Sequence, residues 1–341
     1  MRALAKVRDA PGLALATVPV PTAGPGEIVI KVEATGICGT DLHIFNWDPW
    51  ARGRVHPPRV LGHEFCGTVV EAGPGVRVPQ VGEFVVGECH LACGHCHLCL
   101  GGQPHICESL EIIGVDRDGA FAGCVRLPAG NAWRLGRSIP VEVAAVMDPL
   151  GNAVHAAHST DLTTRTVAII GCGPIGLFAI PVCKMAGAAL VAATDVSEFR
   201  LDLARRMGAD LVIDARRDDV AARLRAATGG VGVDVVLEMS GNPRGITDGL
   251  RAVRNGGWVS LLGLPTGRLE VDLANDVVLK AVHLAGIFGR RLWQTWEQMT
   301  RLLRMGLDIT PVITHRFPLD RFEEAFALLQ SGQSGKIILV P

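Results

Sequence analysis

Apolar positions along the chain follow two different rhythms. Up to about residue 140 they come in short bursts, such as 27–32, 67–71 and 84–87, divided by the turns TAGPGE and EAGPGV. Bursts of this length between Gly- and Pro-rich turns predict β-strands. No long helical period precedes residue 141, and an apolar stretch over 141–158, broken by Asp148-Pro149 and Gly151, predicts a helical linker. From Thr166 the texture changes. TVAII, ALVAAT, LVID, DVVLEMS and WVSLLG are apolar throughout, as strands buried on both faces are, and helix-like segments such as EFRLDLARRMG alternate with them. The tail, THRFPLDRFEEAFALLQSGQSGKIILV, predicts one strand, one amphipathic helix and a final strand.

These rhythms predict a β-rich region over 1–150 and a parallel βαβ domain over 151–290, with no repeat of 20–50 residues. At 341 residues, 48% hydrophobic and 20% charged, the chain has ample core material and no signature of disorder. Lys plus Arg number 33 against 34 for Asp plus Glu, a net charge of -1. That balance excludes an electrostatically driven nucleic-acid or membrane-surface partner. The five lysines are scattered, the apolar runs fall short of the roughly 20 residues of a membrane span, and MRALAKVRDAPG lacks a signal-peptide core. The expectation is a soluble, cytoplasmic protein.

Gly171-Cys172-Gly173-Pro174-Ile175-Gly176 is a G-x-G-x-x-G directly after a predicted strand and opening a predicted helix. The first Gly permits a tight turn, the second lets the backbone approach a pyrophosphate, and the third allows close packing. In a Gly-rich chain the pattern alone also reads as a plain turn, so the flanking strand and helix carry the assignment. Asp195 ends the next strand, where a carboxylate would bond a ribose 2′-hydroxyl and repel a 2′-phosphate. NAD is therefore favoured over NADP, although Arg200 nearby is of the type that accommodates a 2′-phosphate.

Cys93, Cys96, Cys99 and Cys107 give C-x2-C-x2-C-x7-C. Four thiolates at this spacing wrap one tetrahedral zinc; iron–sulfur ligation uses similar spacings, and a redox dithiol needs only two. Cys89, four residues upstream, is read as a bystander. A second set differs in chemistry: Cys38 in GICGTDLH, then His63 and Glu64 in GHE. Thiolate, imidazole and carboxylate make a zinc site with an exchangeable position, as catalysis requires. Taken singly, a buried Cys is an inert hydrophobe and a lone His a structural one. Asp148 fits a further ligand or a turn residue. Thr40 and His43 fit a proton path or, more plainly, a helix cap and an exposed imidazole.

Together GICGTDLH, GHE, the four-cysteine lobe, GCGPIG and the terminal SGKIIL resemble the zinc-dependent medium-chain alcohol dehydrogenases, essentially end to end. HIFNWDPW, MDPLGNAVHAA, LEMSGNP and ITHRFPLDRFEEAF are similar to one branch, whose substrate is a hydroxy amino acid. The resemblance implies an α/β plus β fold: a GroES-like catalytic domain over 1–150 holding both zinc ions and a doubly wound, parallel-sheet Rossmann domain over 151–290 binding NAD. Segment 291–341 would return to the catalytic domain, with substrate in the cleft between. It implies Cys38, His63 and Glu64 as catalytic-zinc ligands, Glu64 either bound or stepped back from the metal. Thr40 and His43 match a proton relay through the cofactor ribose, with Asp148 assisting. Ile175, Asp195, Arg200, Leu262, Gly263, Leu264, Gly286 and Ile287 match cofactor contacts. A homotetramer is the family habit.

Three positions depart from the family pattern. Gly123 and Cys124 stand where Glu and Tyr are expected, and Phe45 replaces a Tyr. None is a proposed metal ligand. Two other readings compete: a polyol or 2,3-butanediol dehydrogenase with the same machinery, and a catalytically silent, zinc-stabilised nucleotide-binding protein. The silent reading needs a broken catalytic set, yet Cys38, Thr40, His43, His63 and Glu64 all stand. Arg290, Arg291 and Trp50 are candidates for gripping a substrate ammonium and carboxylate.

Overall fold

A computed structural model describes residues 1–265 and 267–341. The chain forms two units, one of 1–148 with 313–341 and one of 149–312.

The first unit is built on a seven-stranded sheet. Its central strand, Glu27–Gly36, lies between Glu64–Ala72 on one side and Lys336–Val340 on the other. Ile28, Ile30, Phe65, Val69 and Val85 fill the core on one face, which is why these bursts are apolar. Leu4, Ile37, Ile44, Leu61 and Phe326 belong to a second cluster. Two short helices, Gly39–Asn46 and Pro49–Arg54, stand where no helical period is legible. Caps specify them instead: the Asp41 carboxylate accepts from Cys38 N, and Asp48 accepts from Ala51 N.

The second unit is a six-stranded parallel sheet in the order Leu211–Asp214, Leu190–Asp195, Thr166–Ile170, Val233–Glu238, Val253–Leu261, His283–Gly286. The order reverses between the third and fourth of these, the switch point at which doubly wound sheets take ligands. Segment 291–312 belongs to this unit and not to a returning tail, so the sequence-derived boundary at 290 moves to 312. Packing gives the reason. Helix Gln294–Arg304 buries Trp296 and Met299, and the space above Gly151 is taken by the Arg290 stem and Met299 sulfur. The first boundary lies at 148, two residues before the expected 150. The predicted linker is two helices, Val141–Ala145 and Met147–Ala157.

Candidate active site

Strand register brings the first donor set together. Gly36 pairs with Glu64, so Cys38, just past the end of one strand, meets His63 and Glu64 at the start of the next. A Cβ at Gly36 would lie 2.3 Å from Glu64 Oε2, an approach only glycine permits. Donor atoms of Cys38, His63 and Glu64 all lie within 4.8 Å of one another. His63 Nδ1 and Asp41 Oδ1 are buried without a hydrogen-bond partner, while Glu64 Oε2 lies 2.5 Å from Lys336 Nζ. Buried polar atoms left open in this way fit a metal ion, which a Cys, His and carboxylate set would hold. Burial pulls the His63 imidazole down, yet the charges of Asp41 and Cys38 outweigh it and push it up to about 10. The pocket favours a cation.

Asp41, absent from the sequence-derived site, stands behind this set. It is fully buried, its Oδ1 lies 3.7 Å from His63 Nδ1, and its Oδ2 accepts from Cys38 N at 2.8 Å. Metal-binding imidazoles are oriented by such a carboxylate. Lys336, also missed, donates from Nζ to Glu64 Oε1 at 2.6 Å and to Ile37 O at 2.8 Å. Asp41 had one local signal, its capping-box spacing from Cys38; Lys336 had none.

Cys89 stands outside the four-cysteine set, as read from the sequence, and has partners of its own. Its thiol lies 3.2 Å from Asp148 Oδ1, and Glu88, Cys89 and Asp148 form a buried group with donor atoms within 4.8 Å. The charge of Asp148 in turn helps to push Glu64 upward, after the larger effect of burial. Thr40 Oγ1 lies 3.8 Å from Cys38 Sγ on the first turn of helix Gly39–Asn46, and His43 lies on its last turn, half exposed.

Cys93, Cys96, Cys99 and Cys107 converge, with sulfurs 3.5 Å apart for Cys96–Cys99, 3.9 Å for Cys96–Cys107 and 4.0 Å for Cys93–Cys99. All are free thiols. Zn–S bonds of about 2.3 Å in a tetrahedron put sulfurs about 3.8 Å apart, so the four fit one zinc ion. Backbone N–H groups of Cys99 and Glu108 hold the Cys96 thiol down to about 6, favouring the thiolate a metal needs.

The second unit supplies a nucleotide cradle. Gly171 has φ +97°, and a Cβ there would sit 2.7 Å from that of Ser240. A Cβ at Gly176 would lie 2.0 Å from Gly171 O, whereas Gly173 faces open space at the N-terminus of helix Pro174–Met185. Exposed backbone N–H at a helix start suits a pyrophosphate. Asp195 braces the loop by accepting from Cys172 N at 2.7 Å and Ser197 N at 2.8 Å, with lone pairs to spare for a ribose hydroxyl. Arg200 Nε is buried without a partner. Leu262 N and Gly263 N donate to Glu238 O, and Ile287 N donates to Leu261 O. These bonds gather the 262–264 turn and Gly286–Ile287 at the carboxyl ends of neighbouring strands. Glu238, a further miss, is buried there; its Oε1 accepts from Ser240 N and Gly241 N.

The departures lie elsewhere. Phe45 stacks on Phe326 at 4.8 Å, and Gly123 borders a 660 Å³ cavity lined also by Arg2, Arg316 and Asp320.

Two family descriptions match the chain: "Alcohol dehydrogenase GroES-like domain" over residues 24–137 and "Zinc-binding dehydrogenase" over 174–304. L-threonine 3-dehydrogenase of Symbiobacterium thermophilum is 51% identical over 100% of this chain and 98% of its own. The Bacillus subtilis L-threonine 3-dehydrogenase is 46% identical over 100% and 99%. Among solved structures, an alcohol dehydrogenase from E. coli CFT073 complexed with NADH superposes with TM-score 0.91 at 27% identity, covering 100% and 99%. The 2R,3R-butanediol dehydrogenase of Bacillus subtilis does so at 0.90 and 30%, with the same coverage.

Proposed function

The chain belongs to the zinc-binding, GroES-like alcohol dehydrogenase family, and on that footing we propose that it oxidises the 3-hydroxyl of L-threonine. The products are 2-amino-3-oxobutanoate, NADH and a proton. The observation that carries this reading is the full-length match, 51% identical, to a named L-threonine 3-dehydrogenase. The assembled Cys38, His63 and Glu64 donor set supports it and speaks against a silent scaffold.

Zinc held at Cys38, His63 and Glu64 would supply Lewis acidity toward the alcohol oxygen, and NAD bound at the second unit would supply the hydride acceptor. A second zinc held by Cys93, Cys96, Cys99 and Cys107 would close their lobe. The remaining work falls to the protein. Asp41 sets its charge beside the His63 ring, and Lys336 keeps a counter-charge on Glu64. Thr40 Oγ1, beside Cys38, takes up the alcohol proton as it passes its own onward, and His43 releases a proton to solvent. Asp148, bonded to Cys89, holds negative charge near Glu64 and assists that transfer. In the second unit the glycine loop receives the pyrophosphate, while Asp195 and Arg200 select the adenosine ribose and 262–264 with Gly286–Ile287 line the remainder.

We propose further that the chain assembles into a homotetramer, of which one contact would be a pairing of two copies. Its support is the edge strand His283–Gly286 with exposed Leu284, Leu279 and Val278 beside it, since open edges flanked by apolar side chains invite pairing. No helix among the described residues is long and apolar enough to cross a membrane. Cytoplasmic residence agrees with ten cysteines, four of them gathered as a set able to hold a metal.

The test is NADH formation by zinc-replete protein with L-threonine beside L-serine, sorbitol and 2,3-butanediol. L-threonine is expected to be preferred. A polyol or diol preference would overturn the substrate and leave the family.

A further inference from the structure

His43 and Asp48 form a pair that metal binding does not require. His43 Nδ1 lies 2.5 Å from Asp48 Oδ2, and the imidazole and Trp50 rings meet in a T-shaped contact with centroids 6.1 Å apart. The chain is bent sharply to make this contact. Trp47, between them, takes φ +56°, a left-handed conformation that is costly for a bulky residue. Its buried ring is held by Lys6, whose Nζ lies 4.3 Å from the ring centroid and donates to Ile44 O. Arg52 Nε ties the same turn by donating to Trp47 O. Asp48 N closes it onto His43 O at 3.3 Å.

Capping accounts for only half of the Asp48 carboxylate. Oδ1 accepts from Ala51 N at 2.9 Å and starts helix Pro49–Arg54, which leaves Oδ2 for the imidazole. A carboxylate only accepts, so Nδ1 carries the hydrogen and the neutral ring keeps its lone pair on Nε2. A free histidine side chain in water favours the opposite arrangement. We propose that Asp48 is a positioning residue for proton release, holding His43 as the Nδ1–H tautomer so that Nε2 takes the departing proton. This rests on the reading of His43 as the proton's exit.

The test uses the zinc- and NAD-loaded protein carrying ¹⁵N-labelled histidine, with His43 assigned by its absence in His43→Asn. The native protein is expected to show Nδ1–H. In Asp48→Asn the amide oxygen keeps the cap, while its NH₂ faces Nδ1 and reverses the tautomer. Turnover there should fall about tenfold, less than the ~10²–10⁴ of a buried general base because solvent reaches His43. KM for threonine and NAD affinity should hold, and added imidazole should restore the rate. Nε2–H in the native protein overturns the proposal, and this is read without the Asp48 variant. Native turnover in Asp48→Asn with a reversed tautomer also overturns it. So does a slow Asp48→Asn beside a fast His43→Asn, because Asp48 would then act elsewhere. Native turnover in both variants removes the proton-exit reading itself, even where the native ring is Nδ1–H.

Discussion

Lys336 Nζ sits 2.6 Å from Glu64 Oε1, a contact between two buried charges 272 residues apart in the chain. Burial pushes Glu64 toward its neutral form, and the ammonium opposes that push. The carboxylate in turn holds Lys336 charged against the cost of leaving water. Each charge stays because the other is there.

Removing one partner therefore strands the other. Lys336→Met should destabilise the protein by about 3–5 kcal/mol, the loss typical of a broken buried pair. A urea transition monitored by tryptophan fluorescence reads this, and a native midpoint would contradict it.

Asp41→Asn keeps the volume and the cap on Cys38 while weakening the hold on His63. Zinc affinity at the Cys38 site should fall about 10–100-fold, as when a carboxylate behind a metal-bound imidazole is lost. Competition with a chelator measures it. Equal affinity would show that Asp41 merely caps its helix.

Cys96→Ser removes one sulfur from the four-cysteine lobe. Metal analysis should find the zinc there lost and the other retained, with a lower melting temperature. Full zinc content in the variant would disprove the four-thiolate site, and iron in the native protein would rename its metal.

Asp195→Ala leaves Cys172 N and Ser197 N without their acceptor and removes the charge facing a ribose. NAD should bind about 10–100-fold more weakly, the worth of a charged hydrogen bond, with NADP much less affected. Titration by fluorescence tests both cofactors. An unchanged preference would take the selective role away from Asp195.

What could be read from the sequence was local. TVAII, GCGPIG and a following helix lie within a few residues of one another, so an apolar run and three glycines suffice to place the cradle. The four cysteines likewise declare themselves within fifteen positions. Long-range register is another matter. Lys336 opens the apolar strand KIILV, and only the pairing of Ile338 with Gly36 reveals that its side chain points inward to Glu64. Cys89 acquires meaning only through Asp148, fifty-nine residues on. Helices Gly39–Asn46 and Pro49–Arg54 were hidden because one or two turns carry no period, and their caps are single side chains. The boundary at 312 depends on where Trp296 and Met299 bury, which their own helix does not disclose.

The split composition of the first unit also sets a timetable. During translation Glu64 leaves the ribosome long before Lys336, and at ~5–20 residues per second the interval is on the order of tens of seconds. Throughout that time Glu64 lacks the ammonium that partners it in the folded protein. The intervening parallel sheet can form meanwhile, since it borrows no strand from either flank. The surroundings of Cys38, His63 and Glu64 are therefore complete only once the last strand has paired, late in synthesis.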